Sequence, residues 1–189
     1  MPTPDHSLTT LDIVKANLNL SDTTWDEVLL GAIDAVSRAI EDYCGRSFIA
    51  RTLTAEKIDG DGTAELQLRF PVIRIDSLSN DGTAVVETTN YELYSDTGLV
   101  VLTDGSAWAS GRKKLTITYR YGYEFDDLPR AITAAANLWT MKHFSDIKEN
   151  RVGLSSVTRG DETVSYEKGM PREVKALVDP YVLAIGGWR

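Results

Sequence analysis

A single cysteine, two histidines and no apolar run of membrane-spanning length set the first limits on this chain. Cys44 stands alone, so no intrachain disulfide is possible and a secreted, stapled fold is unsupported. One cysteine with His6 and His143 cannot build a structural zinc site of the usual Cys/His kinds. Nucleophilic catalysis lacks its signature too, because no Gly-x-Ser-x-Gly elbow is present. Glycine loops that cradle phosphate are missing, and Gly186-Gly187 follow a helical stretch instead of opening one. Basic residues are in deficit: 20 Lys and Arg face 28 Asp and Glu, giving a net charge of −8. That balance argues against DNA or an anionic membrane as a surface partner, since phosphate binding needs clustered cations. Met1-Pro-Thr-Pro-Asp-His6 has neither the basic nor the apolar region of a secretory leader. The Asn19-Leu20-Ser21 sequon carries no weight without one.

What is present reads as a folded chain. Apolar residues make up 42% and charged residues 25% of the 189 positions, enough for one ordinary domain or a domain with an appendage. Residues 1–7 hold two prolines and read as a mobile tail. Thr9 or Thr10 caps a short helix to about Leu18, with Leu11, Val14 and Leu18 on one face. The strongest helix follows. Thr24-Trp-Asp-Glu27 has capping-box spacing, and Trp25, Val28, Leu29, Ala32, Ile33, Val36, Ala39, Ile40 and Tyr43 form one stripe. Gly45 suits the left-handed position that ends it.

From Phe48 to Tyr123 the signals turn to β. Turns at Asp59-Gly-Asp-Gly62, Asn80-Asp-Gly82 and Asp96-Thr-Gly98 separate five to seven short strands, predicting an antiparallel sheet or small sandwich. The last strand alternates Leu115, Ile117, Tyr119 and Tyr121 against Thr116, Thr118 and Arg120. Pro129 then starts a helix to about Phe144, with Asp126 or Asp127 as its cap. Ile132, Ala134, Ala135, Ala136, Leu138, Trp139 and Met141 make that helix apolar on nearly every side, which predicts burial against the second helix. A hairpin about Arg159-Gly160-Asp161 and a short helix between Pro171 and Pro180 complete the pattern.

Candidate sites are few. Asp59-Gly60-Asp61-Gly62 lacks the register of a calcium loop and reads as a turn. Cys44 and His143 would meet only if their helices pack, with nothing nearby to orient a base. Asp126-Asp127 are read most simply as charges favoured at a helix start. Trp108 suits the β core. Arg112-Lys113-Lys114 read either as a solvated, edge-protecting turn or as a contact with an acidic neighbouring subunit. Trp188 reads either as a frayed end or as an aromatic anchor for a partner.

The order of these pieces resembles a known family. A short helix precedes a long one ending Asp42-Tyr-Cys-Gly-Arg46, and tyrosine-bearing strands follow. Tyr121-Gly-Tyr123 then leads through Asp127-Leu-Pro-Arg130 into an alanine-rich helix. Arg159-Gly-Asp-Glu-Thr-Val-Ser-Tyr166, Pro171-Arg-Glu-Val-Lys-Ala-Leu177 and Pro180-Tyr181 continue the likeness, which spans about residues 8–182. The chain is similar to the head–tail adaptor, or head completion, proteins of tailed bacteriophages and gene-transfer particles.

The resemblance implies an α+β fold. Residues 1–7 would be a flexible tail, 8–47 and 124–146 a small helical bundle frame, 48–123 an antiparallel β-rich insertion, and 147–189 a C-terminal arm. It implies a structural virion protein with no catalysis, cofactor, metal or membrane contact, made in the host cytoplasm and resident in the virion neck. Copies would form a dodecameric homo-oligomeric ring between the portal protein and a downstream stopper or tail-completion protein. Packaged DNA would pass through the lumen without sequence-specific binding, and net acidity would repel it. The docking segment would include Leu177, Val178, Tyr181, Val182, Trp188 and Arg189; Arg112, Lys113 and Lys114 would meet the neighbouring subunit. A β-sandwich carbohydrate- or peptide-recognition module is the alternative, and it requires Tyr91, Tyr94, Trp108 and Tyr123 to form an exposed platform. A small hydrolase is the least supported class.

Overall fold

Helix α1 (Leu11–Leu18) and helix α2 (Asp26–Cys44) open the computed structural model, which describes residues 6–149, 156–159, 162–165 and 169–183. Thr10 caps α1: its hydroxyl accepts from the Ile13 N–H at 3.3 Å. The expected capping box of α2 does not form. Trp25 occupies the cap position, and the Thr24 N–H donates to the Asp22 carboxylate at 2.9 Å instead. Tertiary packing decides this start, because the Trp25 ring stands edge-on to Phe144 with centroids 5.5 Å apart. Gly45 ends α2 as its sequence position requires. At φ 67° its N–H reaches the Asp42 and Glu41 carbonyls, a conformation costly for any residue with a Cβ.

The chain divides into two units, one made of residues 1–48 and 128–189 and the other of residues 49–127. In the first, helix α3 (Arg130–Lys148) packs on α2 and on helix α4 (Arg172–Val178). Leu29, Ile33, Ile40, Ile132, Ala135, Ala136, Val174 and Val178 have no measurable exposure. The alanines of α3 allow close approach of its neighbours. Two expectations for α3 need correction. Pro129 is its cap residue with no side-chain hydrogen bond, because Asp126 and Asp127 lie in a separate 3-10 turn, Phe125–Asp127. Nor is α3 buried all round: Ala134 is exposed and Leu138 is 38% exposed, so it presents one face to solvent.

The expected tail also ends earlier than position 7. His6 pairs with Asp34, the Leu8 N–H donates to Ser37 Oγ at 3.0 Å, and Thr9 Oγ1 donates to Asn137 at 2.5 Å. Ser7, Leu8 and Thr9 are buried; side chains of α2 and α3 take the Leu8 N–H and the Thr9 hydroxyl, while the Ser7 hydroxyl finds no partner among the described residues.

The second unit is antiparallel. Strands β1 (Arg51–Gly60), β2 (Glu65–Gln67), β3 (Val72–Asn80), β4 (Thr83–Ala84), β5 (Tyr91–Tyr94), β6 (Leu99–Leu102) and β7 (Gly111–Tyr121) form two sheets. Their orders are β1-β7-β3-β4 and β2-β6-β5. Leu115, Ile117, Tyr119 and Tyr121 of β7 are buried as their alternation requires, beside Leu66, Val100 and Leu102 from the other sheet. One apolar cluster thus serves both sheets. Gly98 turns β5 into β6 at φ 70°, and a Cβ there would sit 2.6 Å from the Leu68 carbonyl oxygen. Returning to the first unit, strands β8 (Ser156–Arg159) and β9 (Glu162–Ser165) pair as the hairpin that the sequence suggests.

Because Ile33 and Ile132 are both fully buried in the helical unit, Ile33→Ala or Ile132→Ala should each cost about 2–5 kcal/mol, read by chemical denaturation. A neutral result at either position would remove the α2–α3 core.

Candidate assembly surfaces

The residues expected to dock a partner begin in α4, and the first finding is how firmly α4 is held. Its Val174 and Val178, four apart, face the same way and are both 0% exposed. Cys44 Sγ lies 3.8 Å from the Val178 carbonyl oxygen, and the Leu183 N–H donates to the Cys44 carbonyl at 3.0 Å. Tyr181 meets Phe48 edge-on, with centroids 6.0 Å apart. The Tyr43 hydroxyl donates to Asp179 Oδ1 at 2.5 Å, and Lys175 Nζ reaches both oxygens of Asp179 at 2.7 and 2.9 Å. Lys175 also stands over the Tyr43 ring, 5.2 Å from its centroid. The end of α2 is therefore stitched to the chain as far as Leu183.

Val178, expected to lack partners in the free chain, is instead a fully buried core residue. Leu177 and Tyr181 are half-buried, and Val182 is 40% exposed. Trp188 and Arg189 lie outside the described residues. The residues that sequence reading missed are Tyr43, Cys44, Phe48 and Asp179, which hold the segment in place. Tyr43 belongs to the stripe of α2, yet it is 36% exposed and its hydroxyl donates to Asp179. The Lys175-to-Asp179 spacing, one helical turn, was the available signal.

Electrostatics follow from these contacts. Hydrogen bonds from Lys175 and then Tyr43 hold the Asp179 carboxyl below its usual 3.8. Such surface pairs are individually weak, so the valines carry the anchoring. Burial pushes the Cys44 thiol up to about 11, against a smaller opposing pull from Arg46. It behaves as a small buried hydrophobe.

At the start of β7, Arg112 and Lys113 are exposed, while Lys114 Nζ is engaged by Asp81 of the same chain at 2.8 Å. The Lys113 N–H donates to Asp59 Oδ1 at 2.7 Å, which fixes this tip against the Asp59-Gly-Asp-Gly62 turn. The aromatic platform demanded by a recognition module does not assemble. Trp108 is 1% and Tyr91 3% exposed, burial drives the Tyr91 hydroxyl up to about 12, and only Tyr94, 48% exposed, stands clear. Among the described residues no group of three or more His, Cys, Asp or Glu side chains could hold a metal, and no helix is long and apolar enough to cross a membrane.

A family model described as Head completion protein matches residues 7–182. No curated protein matches the chain. Among solved structures, the chain is similar to one from the neck of a native GTA particle computed with C12 symmetry. That similarity has 20% identity and a TM-score of 0.58, over 99% of this chain and 96% of the other. A chain from the neck of an empty GTA particle computed with C6 symmetry has 19% identity and a TM-score of 0.57, with the same coverage. One from the virion of a native gene transfer agent particle has 20% identity and a TM-score of 0.54, again covering 99% and 96%. At these identities the likeness is one of fold.

Two outcomes test the stitched segment. Truncation after Met170 should destabilise the helical unit by several kcal/mol, since each buried valine contributes about 1.5–3 kcal/mol; urea denaturation reads the loss. Cys44 should stay silent to a thiol reagent at pH 8 in the native chain and react fully on unfolding. The sign is fixed by the raised thiol: relative stability is complete below the unfolded value of 9.0 and falls as pH climbs from there towards about 11.

Proposed function

This chain belongs to the head completion protein family, and from that premise we propose that it is a structural neck component that rings the portal and joins it to the next neck or tail protein. The observation that carries the reading is fold agreement over 99% of the chain with a protein from a C12-symmetric neck. Twelve copies in a ring would multiply a modest contact per copy into a firm attachment. The reading assigns no catalytic step or cofactor. A net charge of −8 keeps the surface from gripping DNA that passes through the ring.

In this reading docking falls to Leu177, Tyr181, Val182, Trp188 and Arg189, with residues 184–189 as the principal contact. Arg112 and Lys113 face an acidic neighbouring copy; Lys114 contributes less, because Asp81 already holds it. Assembly occurs in the host cytoplasm, before the particle is complete. The β-sandwich recognition reading loses its support with the burial of Tyr91 and Trp108.

Removal of residues 184–189 tests the docking role while sparing Val174 and Val178. The shortened chain should keep its circular dichroism and melting temperature, and its co-sedimentation with purified portal rings should fall at least tenfold. Full portal binding by that variant would reject the docking role of this segment.

A further inference from the structure

Strand β6 is apolar on both sides, and the β core covers one of them. Its run Leu99-Val-Val-Leu102 sends Val100 and Leu102 into that core, where they are 0% and 5% exposed. Leu99 and Val101 lie on the opposite face of the β2-β6-β5 sheet, half-buried between exposed neighbours. A strand with apolar residues on both faces is ordinarily covered on both. The register draws the rim: Val101 lies between Glu65 and Glu92, and Leu99 between Gln67 and Tyr94. The strands that carry the two glutamates are two spacings, about 10 Å, apart. Tyr94 is 48% exposed and its hydroxyl donates to Glu92 at 3.3 Å, which sets a ring and a carboxylate side by side. The face is apolar at its centre and acidic at its rim.

The matching surface is the opening of β7. Its pairing with β1 jumps from Gly60–Gly111 to Ile58–Leu115, so Arg112, Lys113 and Lys114 stand against Asp59 alone. Such a bulge re-aims side chains out of the ladder. Lys113 sits at φ 54°, a left-handed conformation that a residue with a Cβ adopts at a cost. Asp59 holds the bulge through the Lys113 N–H at 2.7 Å, and Asp81 holds the Lys114 ammonium at 2.8 Å. Arg112 and Lys113 stay exposed. The chain's own carboxylates thus fix the shape of the bulge and leave these two cations at the surface.

Resting on the ring reading above, we propose that the Arg112–Lys113 bulge of one copy seats on the Leu99–Val101 face of the next copy. The alkyl stems of arginine and lysine cover apolar surface while their charged heads stay in polar surroundings. Here the stems cover Leu99 and Val101, the heads reach Glu65 and Glu92, and Arg112 gains the Tyr94 ring as a cation–π partner. Bulge and face are unlike patches of one chain, the kind of pair that a rotational ring repeats until it closes. Charge complementarity selects the occupant. The acidic rim repels most of a surface with a net charge of −8, and the bulge brings the opposite sign.

Charge exchange tests this in necks isolated from particles whose only copy of the chain is the variant. Arg112→Glu with Lys113→Glu, and separately Glu65→Lys with Glu92→Lys, should each keep the parent melting temperature. Each pair should lower incorporation into the neck about tenfold, because like charges then meet at every contact. All four changes together restore opposite charges across the contact and should recover most of the parent's incorporation. Normal incorporation of either pair, or a quadruple variant no better than the pairs, would overturn the docking inference and leave the neck assignment standing. Absence of the parent chain from the neck would overturn both. Should a reversal lower the melting temperature, carbodiimide crosslinking of parent necks decides. A link from Lys113 to Glu65 or Glu92 should occur in the multimer bands of a denaturing gel. Its confinement to single chains, or its absence from intact rings, would equally overturn the inference.

Discussion

Helix α3 is the element on which the helical unit depends. Residues 6–48 provide α1 and α2, whose Val14, Leu29 and Ile33 share one cluster, but that cluster is completed only by Phe144 after the chain returns at position 128. Ile132, Ala135 and Ala136 of α3 are buried in the same unit, and α4 closes the far side with Val174 and Val178. The unit is therefore assembled from contacts distant in sequence, with a complete β unit formed between its two halves. Such long-range closure makes folding slower than in a helical bundle of consecutive elements.

That closure decides what is free for assembly. A partner-binding arm that began at Pro171 would have to leave its own core to bind, exposing Val174 and Val178 at the cost of their burial. The Tyr43–Asp179–Lys175 cluster and the Leu183-to-Cys44 hydrogen bond carry the chain across the end of α2 first. Whatever lies beyond Leu183 thus starts from a fixed point. In the β unit, Tyr91, Trp108, Tyr119 and Tyr121 are spent inside the core, while Tyr94 stays exposed.

Local chemistry was legible wherever a residue's role is decided within a few positions. Thr10 caps α1, Gly45 ends α2, and β7 alternates into and out of its core as written. Misreadings occurred where distant packing overrides local preference. Thr24 and Glu27 have the spacing of a capping box, yet the Trp25–Phe144 contact moves the helix start and the Asp22 carboxylate takes the Thr24 N–H. The sequence of α3 is apolar on nearly every side, because alanine counts as apolar without revealing which alanines are covered; Ala134 is exposed and Ala135 buried. Val178 looked like part of a docking arm because its contacts lie about 130 residues earlier, at Cys44. No local pattern announces such a partner. The resemblance to head completion proteins rested on the order of motifs, which survives when individual caps and ends are misplaced.

Negative-stain imaging of purified portal rings, with and without this chain, tests the central claim most directly. The account predicts an added layer of density with twelve-fold symmetry on one end of the portal, present only when the chain is supplied. Bare portal rings at saturating concentrations of the folded chain would contradict it.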